Sequence, residues 1–175
     1  MNPQKYKILI MGMGNLIMSD DGLGIHLIRE LQEILWEEKN NINISSGDIS
    51  LKEEIYSEEI FLLEIGTSPL NYLEEISQTE KLIMIDAIKG GEKSGNIYKL
   101  KEDDFNFNIN YKPDFHGYSV LQVIELAREI TNLPYSFTIY GIEPENINLG
   151  DKLSKKVKTS FPKLIKLILQ EIKSI

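Results

Sequence analysis

Apolar residues recur along this chain with two periods, and the order in which the periods alternate lays out the fold. Lys7 to Met11 is a short apolar run that ends at a glycine, the pattern of a buried strand opening an α/β sheet. The stretch GMGNLIMSDDG that follows reads as a loop. From Leu23 to about Glu38 the apolar positions Leu23, Leu27, Leu31, Ile34 and Leu35 return at helical spacing, with Asp20 and Asp21 ahead of them where acids favour a helix N-terminus. Between Glu37 and Glu59 the chain turns polar and the periodicity weakens. This segment reads as a surface excursion with a short strand at Ile42 to Ser46, and its glutamates from Glu53 to Glu59 as a solvated face. Ile60 to Ile65 is a second strand, and Gly66-Thr67-Ser68-Pro69 supplies a turn, a cap and a proline suited to a first helical position, ahead of a helix through Leu70, Leu73 and Ile76.

Lys81 to Asp86 (KLIMID) has the nearly continuous apolar run of a central strand, and it ends in an acid. The glycines from Gly90 to Gly95 turn the chain into an edge strand, Asn96 to Leu100. A polar loop runs to Pro113, a helix is expected from Tyr118 to Ile130, a last strand from Phe137 to Ile142, and an amphipathic helix from Ser154 to Lys173. Strands alternating with helices predict a single α/β domain over residues 1–175, with a mostly parallel, doubly wound sheet of about five strands flanked by helices on both faces. Ligands of such sheets bind beyond the carboxyl ends of the strands, which selects the loops after Met11, Ile65 and Ile85.

Composition narrows the chemistry. A formal net charge of -8 opposes a phosphate backbone, so nucleic acid is not expected as a partner. The absence of cysteine excludes disulfides, thiolate metal sites and a thiol nucleophile, and fits a reducing compartment. The apolar run Ile8 to Met11 is too short for a signal segment or a membrane span, so a cytoplasmic protein without membrane insertion is expected.

The glycines after the first strand invite a dinucleotide reading, but the third glycine of GxGxxG would fall at Ile17, and Asp20 and Asp21 would repel a pyrophosphate. No lysine completes a P-loop, and neither GxSxG nor HExxH is present. Polar chemistry therefore falls to carboxylates and the two histidines. Asp21 lies in the first loop, Asp86 closes the central strand and His116 precedes a helix. Together they are a plausible divalent metal site for a borderline ion such as nickel, zinc or cadmium. Each also has a plainer reading: Asp20 or Asp21 as a helix cap, Asp86 as a turn former, His116 as a loop residue. His26 shares the polar face of the first helix with Arg29, Glu30 and Glu33 and reads as a surface residue.

Five motifs in this order resemble the hydrogenase maturation proteases: GMGNLIMSDDGLG, the Gly66-Thr67 turn, KLIMIDAI, the histidine of PDFHGYSVLQVI, and YGIEPE. The resemblance runs along the whole chain. It implies an α/β fold and an endopeptidase, aspartic-type by family, that recognises nickel in the precursor of a nickel-iron hydrogenase large subunit and removes a C-terminal extension. By motif, the nickel ligands are Asp21, Asp86 and His116, with Asp21 and Asp86 as the catalytic carboxylates and Glu64, Gly66 and Thr67 against the substrate. The nickel arrives with the precursor, and zinc or cadmium would substitute in vitro. Where relatives often carry Asp-Gly-Gly-Thr, this chain has Glu64-Ile65-Gly66-Thr67, a β-branched residue in place of a glycine. Two rival classes are a non-catalytic nickel-sensing chaperone using the same ligands, separated by the absence of a shortened product, and a Rossmann-type oxidoreductase, separated by titration with nicotinamide cofactors.

Overall fold

The computed structural model describes residues 6–40, 55–57, 60–101, 104, 134 and 136–173. Strand β1 (Tyr6–Met13) is followed by a 3-10 turn (Ser19–Gly22) and helix α1 (Leu23–Asn40). Strands β2 (Ile55–Ser57) and β3 (Ile60–Gly66) come next, then a 3-10 turn (Pro69–Tyr72) and the short helix α2 (Leu73–Ser77). Strands β4 (Thr79–Ala87), β5 (Ile97–Lys101) and β6 (Ser136–Ile142) and the helix α3 (Lys155–Lys173) complete the described elements.

The sheet order is β2-β3-β1-β4-β6-β5. β3, β1, β4 and β6 run parallel, while β2 and β5 add as antiparallel edges. The predicted α/β class and mostly parallel sheet are borne out, with six strands among the described residues where about five were expected. The extra strand is the three-residue β2, inside the segment read as a polar excursion; its short apolar content gives no period to detect. The strand expected at Ile42 to Ser46 and the helix expected at Tyr118 to Ile130 lie outside the described residues.

Alternation explains the two layers. On one face of the sheet, Ile8, Ile10, Ile83, Ile85, Tyr140 and Ile142 pack against Leu23, Leu27 and Leu31 of α1 and Phe161, Leu164 and Ile168 of α3. On the other, Leu9, Met11, Leu82, Met84, Phe137 and Ile139 pack with Ile65 and with Ile76 of α2. The central strands are thus apolar on both sides, as parallel strands require. Ile65, the β-branched residue ahead of Gly66, is buried in this second layer, so its side chain is absorbed by packing.

A buried carboxylate ties α3 to the sheet. Glu171 accepts hydrogen bonds from Lys99 Nζ at 2.6 Å, Thr138 Oγ1 at 2.7 Å and Tyr140 Oη at 2.6 Å, and pairs with Lys81 at 3.0 Å. Burial alone would raise its pKa, but these donors outweigh burial and hold it down at about 2. No helix among the described residues is long and apolar enough to cross a membrane.

The parallel order places a switch point at the site. From β1 the chain leaves to β3 on one side and returns to β4 on the other, so the crevice beyond the carboxyl ends of β1 and β4 is where such sheets bind ligands.

Candidate active site

The loop leaving β1 is built on glycines because backbones meet there. Gly24, in the first turn of α1, lies so close to the strand ends that a Cβ would stand 2.4 Å from the carbonyl oxygens of both Met13 and Ile85. Gly14 has φ +124°, and its Cβ would fall 1.7 Å from the Asp21 carbonyl oxygen. Only glycine allows both the conformation and the approach. The loop is further held from β3, because Gly14 N–H donates to the Gly66 carbonyl at 2.9 Å. The glycine spacing in GMGNLIMSDDGLG therefore fixes where Asp21 stands.

The two adjacent acids of that loop have different surroundings. Asp20 is fully buried, and its carboxylate accepts the backbone N–H groups of Glu145 at 2.9 Å, Asn146 at 3.0 Å and Ser154 at 2.6 Å. Ser154 in turn caps α3, its Oγ accepting Val157 N–H at 3.4 Å. Asp20 thus anchors the loop after β6 and the start of α3 to the loop after β1. Asp21 is only partly buried, and one oxygen accepts Asn15 N–H at 3.0 Å. Its other oxygen has no hydrogen-bond partner among the described residues.

Asp86, partly buried at the end of β4, accepts a hydrogen bond only from Ala87 N–H, at 2.8 Å, among the described residues. Burial, opposed by the Ala87 N–H and helped by the charge of Asp21, pushes its carboxyl up to about 7. The fold therefore brings Asp21 and Asp86 within electrostatic reach of each other. Among the described residues no group of three metal-binding side chains is assembled. His116, the third expected ligand, lies outside the described residues.

Of the residues expected at the substrate, Glu64 forms a bidentate pair with Arg29 of α1, Nε and Nη2 each 2.8 Å from a carboxylate oxygen. Gly66 has φ +58° at the end of β3, and Thr67 beside it is exposed. His26 is partly buried, not fully on the surface. Its burial lowers its pKa, as does neighbouring Arg29, while Glu64 opposes the shift.

One polar residue of this region was missed by the sequence reading. Glu143, buried after β6, accepts hydrogen bonds from Gly90 N–H at 2.8 Å, Glu92 N–H at 3.2 Å and the Tyr98 hydroxyl. Burial and the Glu143 contact push the Tyr98 hydroxyl up to about 12. This carboxylate fastens the glycine loop after β4, on the same edge as Asp86. Its partners are about fifty residues away, and only the acid within YGIEPE marked it.

The family model described as hydrogenase maturation protease matches residues 49–171. A putative hydrogenase maturation protease of Methanocaldococcus jannaschii is 29% identical, over 97% of this chain and 90% of its own length. The hydrogenase 2 maturation protease of Escherichia coli is 19% identical, over 95% of this chain and 91% of its own. Among solved structures, the hydrogenase maturating endopeptidase HybD of Escherichia coli superposes with a TM-score of 0.73 at 19% identity, covering 96% of this chain and 93% of that one. The hydrogenase maturation protease HycI of Thermococcus kodakarensis gives 0.67 at 20% identity, covering 95% and 92%.

Proposed function

Because the chain belongs to the hydrogenase maturation protease family, we propose that it recognises nickel in the precursor of a nickel-iron hydrogenase large subunit and cleaves off that subunit's C-terminal extension. The observation that carries this reading is the pair Asp21 and Asp86. Two carboxylates, one from the turn after β1 and one at the end of β4, each with a single hydrogen-bond donor among the described residues, stand within electrostatic reach of each other at the switch point of the sheet. Such a pair is complementary to a cation, and a cation is what relieves the repulsion between them.

In this reading the metal is part of the substrate. Asp21, Asp86 and His116 complete the coordination of nickel already seated in the precursor, so that cleavage follows only when the metal is in place. Zinc or cadmium would occupy the same ligands in vitro. Asp86, whose carboxyl burial lifts to about 7, gives up the proton it still holds near neutral pH as the cation arrives. Asp21 is the first candidate to activate the water that attacks the scissile carbonyl; the alternative is that the nickel would polarise that carbonyl. The Arg29–Glu64 pair ties α1 to the end of β3, and Gly66 and Thr67 border the same crevice on the β3 side. The reaction is assigned to the cytoplasm.

The test is incubation of the purified protein with the precursor in nickel-loaded and nickel-free form, followed by mass measurement. A shortened product from the loaded precursor alone is expected. Binding with no shortened product would make the protein a nickel-sensing chaperone, and cleavage indifferent to nickel would remove the metal from recognition.

A further inference from the structure

The apolar triplet Leu16-Ile17-Met18 is unexpected in a loop that otherwise carries glycines and acids. Its centre, Ile17, is 61% exposed, and Leu149 in the loop after β6 is 80% exposed. A parallel bridge between Met18 and Gly150 joins the two loops, which sets Ile17 beside Leu149. Leu16, Met18 and Ile147 flank them, partly exposed. A scattered apolar residue on a surface needs no explanation, but two large ones side by side on different loops form a patch.

The patch is also held in shape. Gly150 N–H donates to the Ile17 carbonyl at 2.9 Å, Ser19 N–H to the Gly150 carbonyl at 2.8 Å, and Ser19 Oγ to the Asn148 carbonyl at 2.9 Å. Beneath these lies the Asp20 carboxylate with its three backbone donors. Fixing an exposed apolar pair in this way removes the ordering entropy that a floppy loop would lose on contact. Ile17 is four residues before Asp21, in the same short loop.

We propose that the Ile17–Leu149 patch is a docking surface for the protein substrate, seating an apolar depression on the folded large-subunit precursor while its metal meets Asp21 and Asp86. This rests on the proposed function. Continuity with the Asp21 loop favours that occupant, since a protein whose metal reaches Asp21 lies against this rim. A second copy of the chain is disfavoured by charge, because each copy carries a formal net charge of -8.

The test compares wild type with an Ile17→Ser/Leu149→Ser double variant and a Leu149→Met control, using nickel-loaded precursor and measuring KM and kcat separately. The double variant is expected to raise KM at least about tenfold while changing kcat less, the sign of binding lost outside the chemistry, and Leu149→Met to stay close to wild type. Should the double variant melt early, Leu149→Lys at the more exposed position carries the same expectation at about threefold. An unchanged KM in folded variants, with wild type cutting normally, overturns the docking role and leaves the proposed function standing. Wild type that leaves the loaded precursor uncut overturns the proposed function, and the docking role with it. Sedimentation that finds a wild-type dimer dispersed by the double variant would assign the patch to a second copy instead.

Discussion

Asp20 and Asp86 are two acids at the same end of one sheet, and their surroundings differ in a way that separates structure from chemistry. Three backbone N–H groups from distant parts of the chain converge on Asp20, and the carboxylate has no exposed surface. Among the described residues Asp86 accepts one N–H, from its neighbour, and burial together with the charge of Asp21 lifts its pKa to about 7. A carboxylate whose lone pairs are filled by the fold can hold a loop but has little left to offer a ligand. One that is left short of donors destabilises the folded protein and is free to bind a cation, a common trade between stability and activity.

The largest expected effect follows from emptying the satisfied site. Asp20→Ala leaves three backbone donors without their acceptor, and should lower stability by about 3–5 kcal/mol in a denaturant titration. Loss below about 1 kcal/mol would mean that the loop after β6 is held by other means.

A smaller effect of opposite sign is expected at Asp86. Its folded pKa of about 7 lies above the ordinary 3.8, so the folded state binds this proton more tightly than the unfolded chain. Its contribution to stability is therefore greatest below pH 4 and declines as pH rises through 7. In metal-free protein, Asp86→Asn should be more stable than wild type by about 2–4 kcal/mol at pH 8, with the difference fading by about pH 4. An Asp86→Asn protein that is less stable than wild type at pH 8 would make this residue a structural one.

Glu171 sharpens the contrast, because it too is a satisfied carboxylate, held by Lys81, Lys99, Thr138 and Tyr140 away from Asp21 and Asp86. Its folded pKa of about 2 lies below the ordinary 4.5, so its stabilisation is present above pH 4.5 and lost as pH falls toward 2. Glu171→Gln should cost about 1–3 kcal/mol at pH 7 and almost nothing near pH 2, read from urea midpoints across that range.

The sequence made the elements legible wherever one period dominated. The helix expected from Leu23 to about Glu38 is Leu23–Asn40, and the strand expected at KLIMID is Thr79–Ala87. Ser154 to Lys173 was displaced by one residue at its start because Ser154 is the cap. The β2 strand was hidden by its length. At the site, Asp86 was legible from its place at the end of a central strand. The division of labour between Asp20 and Asp21 was not, since the donors that claim Asp20 lie 125 to 134 residues further on. For the same reason the Arg29 pairing of Glu64, a contact across 35 residues between a helix and a strand end, left no local pattern.

The proposed role of Asp86, a ligand of the precursor's nickel and not a turn former, is open to a direct test. Asp86→Asn keeps the shape and turn preference of aspartate and removes the charge. The measurement is the processing rate of nickel-loaded precursor by this variant, with its fold checked by thermal melting at the same pH. A folded protein whose processing is slower by about a hundredfold or more is the predicted result. Processing at the wild-type rate by folded Asp86→Asn protein would contradict it.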